Sequence, residues 1–277
     1  MEASLVRECQ LVQLRLLKVF TQICRNEHLA YWLDGGTLLG ATRHAGFIPW
    51  DDDLDVAMPR QDYERFKQIA PSLLPHDVFF QTFETDGFPS RQIMKLRDKY
   101  STLIERKGGQ RRITYHQGIF IDIMPMERIR RDRAVYARRT ANILNWRVPF
   151  ERGRPLTARD TIKSAAIFVR DRVVGYERLF AWFRSLFVAK ETDRCFYFQI
   201  FKAKDFPRLL LEEKDLFPLR EMRFEDDLFS APNDVHKYLT LMYADYMTQP
   251  AEEDRVPHSV AILPRIPCHH REVLRWK

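Results

Sequence analysis

Residues 31–58 read YWLDGGTLLGATRHAGFIPWDDDLDVAM, and the reading of this stretch decides the fold. A short apolar run ending in Asp34 has the pattern of a strand, the Gly35-Gly36 pair makes a turn, and residues 37–43 form a brief helical run. A second strand follows, loaded with carboxylates at Asp51, Asp52, Asp53 and Asp55. Alternate side chains of a strand share a face, so Asp51, Asp53 and Asp55 are expected on one side and Asp52, Leu54 and Val56 on the other. Carboxylates crowded on one face raise one another's pKa. A divalent cation among them removes that repulsion, and an oxygen-only ligand set favours Mg²⁺ or Mn²⁺ over zinc. Glycines at 35 and 36 leave the backbone N–H groups of the turn open to a phosphate, and a helix starting at Thr37 adds the positive end of its dipole.

Each part alone has an ordinary explanation: a glycine pair is commonly just a turn, and an acidic run is commonly a solvated loop. The two lie about fifteen residues apart, each beside an apolar strand pattern, and together they point to a phosphate turn next to a metal strand. The order G-G, a spacer, then Asp53-Leu54-Asp55-Val56 resembles the signature of the nucleotidyltransferase-fold superfamily. The longer string LDGGTLLGATRHAGFIPWDDDLDVAMPR resembles the LicD family of phosphotransferases, which includes the fukutin-type ribitol-phosphate transferases. The likeness continues more loosely through KLRD near Lys95, GIFIDIMP around Asp122 and residues 217–258, and the middle of the chain does not share it.

The resemblance implies an α+β fold, with a nucleotidyltransferase-like mixed β-sheet core flanked by helices and a largely helical basic insertion. The composition shift at Glu127 and the proline-broken stretch after Phe206 set the expected boundaries: the catalytic core at residues 1–126, a basic, mostly helical insertion at 127–205 and a return to the core at 206–277. The resemblance also implies that Asp53, Asp55 and Asp122 hold the metal, that Asp51 joins them in catalysis, and that Gly35, Gly36, Thr37, Arg43, Lys95 and Arg97 bind substrate.

Composition narrows the setting. A chain of 277 residues, 45% hydrophobic and 30% charged, can bury a sizeable core and keep a solvated surface. No apolar run approaches the roughly 18 residues that span a bilayer, and the N-terminus lacks a secretory pattern. Cys9, Cys24, Cys195 and Cys268 form neither a disulfide framework nor a zinc pair, and Cys268-His269-His270 lacks a second ligand pair. The expected compartment is the cytoplasm, with a peripheral contact at the inner face of the membrane. A net charge of +7 calls for acidic partners: nucleotide phosphates, anionic lipid headgroups or nucleic acid.

Along the chain, apolar residues at three- and four-residue steps predict helices over residues 4–28 and 62–74. Short strands are expected at 78–83, 91–97, 102–105 and 118–123, with a loop at 106–112. Lys95 and Arg97 fall on one face of their strand and read either as an edge guard or as phosphate ligands. Asp122 stands among Ile119, Phe120, Ile121 and Ile123, so its charge needs a cation, a hydrogen-bonding site or water. Residues 127–190 are basic. Within them Leu179, Trp182, Phe183, Leu186 and Phe187 share a helical face, which either packs on the protein or lies on an anionic membrane. A hairpin with its turn at Asp226-Asp227 leads to a helix carrying Val235, Tyr238 and Leu239. His258 is left without a role.

The expected chemistry is attack by a glycan hydroxyl, on a free or lipid-linked acceptor, at the distal phosphorus of CDP-choline or another CDP-alcohol. Two alternatives stand beside it. One is nucleotidyl transfer to a nucleic acid or small molecule, though no RNA-stacking platform is visible. The other is a catalytically silent binding protein of the same fold.

Overall fold

The computed structural model describes residues 3–105, 115–144, 157–190, 195–200 and 209–268. The loop expected at 106–112 and the His269-His270 pair lie outside these residues. In chain order the elements are α1 (Ala3–Asn26), β1 (Trp32–Leu33), α2 (Gly35–His44), β2 (Asp55–Pro59), α3 (Arg60–Leu73), β3 (Val78–Gln81), α4 (Phe83–Asp86), β4 (Met94–Asp98), β5 (Thr102–Glu105) and β6 (Phe120–Arg130). They continue with α5 (Ala134–Leu144), α6 (Ala158–Phe168), a π-helical stretch Val169–Val174, α7 (Tyr176–Phe187), β7 (Cys195–Phe198), α8 (Glu213–Leu216), β8 (Arg220–Phe224), β9 (Asp227–Ala231), α9 (Val235–Tyr243) and β10 (Ser259–Leu263). The class is α+β, with a mixed sheet flanked by helices. Two compact units divide the chain, Met1–Pro125 with Lys214–Lys277, and Met126–Glu213.

In the first unit the strand order is β1-β2-β6-β4-β3. Trp32 faces Ala57 and Leu33 faces Val56, so the strand before the glycine pair lies against the strand after the acidic run. The Asp122 N–H donates to the Leu54 carbonyl at 2.8 Å, which seats β6 against the end of the acidic run. On its other edge β6 pairs with β4 in antiparallel register, with Lys95 opposite Asp122 and Arg97 opposite Phe120. The strands are buried on both faces: Trp32, Leu33, Leu54, Val56, Ala57, Met58, Ile121 and Ile123 are all closed to solvent. Each large apolar side chain so buried contributes about 1.5–3 kcal/mol, more than the β-propensity of so short a strand as β1 could supply. Helix α1 covers one face with Leu16, Leu17 and Phe20 inward.

Several expected boundaries move, each for a local reason. Helix α2 begins at Gly35 rather than Thr37, because Asp34 takes the N-cap position and accepts the Gly35 N–H at 2.8 Å. Residues 51–54 are not strand, and β2 starts only at Asp55. Burial nevertheless alternates as expected, with Asp52, Leu54 and Val56 buried and Asp51, Asp53 and Asp55 half-buried. The strand expected to 83 stops at Gln81, since Thr82 caps α4 through the Glu84 and Thr85 N–H groups. β6 runs on to Arg130, beyond the expected 123.

In the second unit the far part of β6 pairs with β7, from Glu127 with Phe198 to Arg130 with Cys195. Helices α5 and α7 share a core of Ile129, Ala134, Ala137, Phe180, Phe183 and Phe187. The buried face of α7 steps through Tyr176, Phe180, Phe183 and Phe187, so Trp182, expected on that face, turns outward and is 50% exposed.

One polar pin ties the acidic run to the C-terminal part of the first unit. Asp52 is buried and accepts the His258 N–H at 2.7 Å, the Ser259 N–H at 2.9 Å and the Ser259 hydroxyl. Burial alone would raise its pKa, but these bonds outweigh burial and hold it below the ordinary carboxylate value. Asp52→Ala strands those donors, and chemical denaturation is expected to show a loss of about 2–4 kcal/mol at neutral pH. A depressed pKa stabilises above the unfolded-state value and is lost as pH falls through the folded one. The wild-type advantage should therefore shrink below about pH 4. Equal stability of the two proteins at neutral pH would show that Asp52 pins nothing.

Candidate active site

Most of what holds the acidic loop in place is neutral. From α1, the buried Gln10 side chain donates to the Ile48 and Asp51 carbonyls at 3.1 and 2.9 Å. Gln13, one turn on, donates to the Asp52 carbonyl at 2.6 Å and the Phe120 carbonyl at 3.2 Å, joining the acidic loop to β6. Both glutamines sit on the buried face of a helix that sequence reasoning read only as apolar packing. Their one visible signal is polar residues at core positions of an amphipathic pattern.

The glycine pair has two separate jobs. Gly35 has φ of 55°, a left-handed conformation that costs glycine little. At Gly36 a Cβ would lie 2.7 Å from Asp51 Oδ2, so the missing side chain is what lets that carboxylate reach the first turn of α2. Gly35 was expected to offer its N–H to a phosphate, but Asp34 already accepts that proton. Thr37 was also expected on substrate, yet it is buried and its Oγ1 accepts the Asp55 N–H at 2.8 Å, lashing α2 to the start of β2.

Asp34 is fully buried and receives the Tyr238 hydroxyl at 2.6 Å, with the Trp32 indole N–H 3.4 Å from that same hydroxyl oxygen. Burial and the Asp34 charge hold the Tyr238 proton well above the usual phenol range, so Tyr238 is a fixed donor. Arg43, in the last turn of α2, donates to the Tyr246 carbonyl at 3.2 Å, and its Nε is buried without a hydrogen bond.

Charge is handled by two cations of the chain itself. His258 Nδ1 lies 2.9 Å from Asp53, 3.5 Å from Asp51 and 3.6 Å from Asp52. Hydrogen bonding to these three carboxylates lifts its pKa to about 12, so it is an imidazolium at neutral pH. Asp51, by contrast, is raised by burial, with His258 opposing the shift and Asp53 adding to it. Among the described residues, Asp51, Asp52 and His258 bring their ligand atoms within 4.8 Å of one another, a grouping the sequence did not suggest.

Lys95 is the second cation. It is buried, lies 3.3 Å over the Phe120 ring, and stands 2.8 Å from Asp122 Oδ1 as an ion pair that is not aligned as a hydrogen bond. The Asp122 pKa is raised by burial, lowered by Lys95, and raised again by Glu105 and Asp53. Asp53 is thus close enough for its charge to be felt at Asp122. The Asp122 side chain remains 18% exposed, so it is reachable from outside. Arg97 differs from its expected place on a phosphate: it is buried, donates to Gln81 and to the Gly118 carbonyl at 2.6 Å, and stacks 4.5 Å from the Phe120 ring. It braces the sheet from inside.

The site therefore has half-buried carboxylates at Asp51, Asp53 and Asp55 beside the first turn of α2, with Asp122 on the adjoining strand β6. An all-carboxylate donor set of this kind has the chemistry that suits a hard divalent cation, with Asp122 Oδ1 already paired to Lys95. Comparison with known proteins agrees with the architecture. Residues 28–135 match the LicD/FKTN/FKRP nucleotidyltransferase domain. The chain is 28% identical over 270 residues to the lipopolysaccharide cholinephosphotransferase LicD of Haemophilus influenzae, covering 94% of this chain and 98% of that protein. It is 44% identical over 57 residues to an uncharacterised protein of Rickettsia typhi, 21% of this chain and 18% of the relative. It is also 49% identical over 39 residues to the human ribitol 5-phosphate transferase FKRP, 14% of this chain and 8% of that protein. Residues 28–135 thus match the LicD/FKTN/FKRP nucleotidyltransferase domain, and nearly the whole chain is similar to a LicD protein.

Proposed function

We propose that this chain is a divalent-cation-dependent phosphotransferase that moves phosphocholine from CDP-choline, or another phospho-alcohol from its CDP derivative, onto a glycan. One observation carries the reading: β6 delivers Asp122 beside Leu54, the residue between Asp53 and Asp55. A residue far away in sequence is so seated against the Asp53–Asp55 segment, near enough for the Asp53 charge to bear on it. The near full-length likeness to a cholinephosphotransferase supports the donor, and the lipopolysaccharide in that relative's name supports a glycan acceptor.

Asp53, Asp55 and Asp122 would hold Mg²⁺ or Mn²⁺, whose chemistry is to neutralise the donor diphosphate and to make the acceptor hydroxyl more acidic. The acceptor oxygen forms the new P–O bond as the bond to CMP breaks, and CMP leaves with the electron pair. Asp51 takes the hydroxyl proton, a role suited to a carboxylate whose burial lifts its pKa. Lys95 serves by holding Asp122 in place, and Arg97 by bracing the sheet beneath it. His258, exposed over Asp51 and Asp53, balances their charge and must yield as substrate and cation enter.

Two measurements test this. Purified protein supplied with Mg²⁺ and a glycan acceptor should release CMP from CDP-choline or CDP-ribitol, and release of pyrophosphate from CTP or ATP instead would make it a nucleotidyltransferase. The second is a mutant cycle. Asp122→Asn removes the ligand but strands the buried Lys95, so it should cost about 3–5 kcal/mol of stability as well as more than about 100-fold in turnover. Lys95→Met with Asp122→Asn should regain most of the stability and none of the turnover. Activity that returns together with stability would remove Asp122 from the ligand set.

A further inference from the structure

Residues 126–213 contain 20 arginines and lysines against 11 aspartates and glutamates, a formal charge of +9, while the rest of the chain sums to −2. The whole positive excess of the protein sits in this unit. Its helix α6 and the π-helical stretch that follows are turned inside out compared with an ordinary surface helix. Ile162, Val169 and Val173, at steps of seven and four, make one stripe, and it faces solvent: Ile162 is 71% exposed and Val173 67%. Phe168 beside them is exposed as well, and so is the neighbouring Arg172. On the inward side stand Ile167, which is buried, and Arg170, which donates to the Leu144 carbonyl at 2.8 Å and lies 5.8 Å from the centre of the Tyr176 ring. An arginine points in while valines point out. The aromatic face of α7, which the sequence offered as the membrane candidate, is spent on the core of its own unit.

The geometry points to a membrane-docking face made by α6 and Val169–Val174, with an anionic bilayer as its occupant. A helix with an apolar stripe and a strongly basic surround lies in the headgroup layer, its stripe among the upper acyl carbons and its cations at the lipid phosphates. The +9 formal charge of the unit that carries the stripe, with Arg172 exposed beside it, favours this occupant over a neutral apolar partner, because an anionic surface complements that charge. None of the described helices is long and apolar enough to cross a membrane, so the contact is one of lying on the surface. The inference rests on charge and exposure in this unit and is independent of the chemistry proposed at the aspartates.

Co-sedimentation of the full chain tests it, using vesicles of phosphatidylcholine alone and of phosphatidylcholine mixed with phosphatidylglycerol. The wild type should pellet with the mixed vesicles, less so as added salt shortens the screening length from about 10 Å at 0.1 M. The triple variant Ile162→Ser, Val169→Ser, Val173→Ser should bind at least about tenfold more weakly. Leu228→Ser, which removes an exposed leucine of β9, should change nothing. Val173→Asp alone provides a milder second variant should the triple one fail to fold, and it too should weaken binding. Equal pelleting with both vesicle types, or undiminished binding by these variants, would overturn the proposal. So would a wild-type oligomer that the variants turn into a monomer, since the stripe would then be covered by a second copy.

Discussion

Like charges crowded into one corner set the terms for the rest of this structure. Asp51, Asp52, Asp53 and Asp55 follow one another along a segment that meets the first turn of α2, with Asp122 on the strand seated against it, and at 4 Å two such charges repel by about 4 kcal/mol even at an effective dielectric constant of 20. A loop carrying them would spring open unless something held it. What holds it grips the backbone. Gln10 and Gln13 donate to main-chain carbonyls of the loop, and Thr37 accepts a main-chain N–H. The position of the loop is thereby separated from the charge state of its side chains, which stay available for chemistry. Asp52 is the exception, and it alone is spent wholly on structure.

The same logic explains the division of labour among the basic residues. Lys95 and Arg97 alternate along β4 and were equivalent candidates for a phosphate. In the fold, one meets a carboxylate across the strand pair and the other meets a glutamine and a carbonyl. A cation buried in a sheet must be paired, and the cross-strand register decides with what. The register places Lys95 against Asp122, and so makes it part of the site without placing it on substrate.

Much of this could be read from the chain. The strand, glycine pair and carboxylate order of residues 31–58, the burial alternation of Asp51 to Val56, and the need of Asp122 for a cation, a hydrogen-bonding site or water follow from local pattern and elementary electrostatics. The supporting set could not be read so. Gln10, Gln13, Tyr238, His258 and Ser259 are joined to the site by hydrogen bonds across long stretches of sequence, and such bonds leave no periodicity behind. Helical period likewise identified an apolar face on α7 but could not say that the core would claim it. Which of two amphipathic helices is buried depends on tertiary partners, here β7 and α5, that lie elsewhere in the chain.

The Tyr238 bond to Asp34 has a bearing on how the protein comes into being. Asp34 waits 204 residues for the hydroxyl that fixes the start of α2, and Asp52 waits 207 for Ser259. A ribosome adding about 5–20 residues per second needs on the order of 10–40 s to cover that distance. Through that interval the emerging chain holds the aspartates without the partners that gather them. The centre therefore cannot assemble until Tyr238 and Ser259 have been added, 204 and 207 residues after the aspartates they hold.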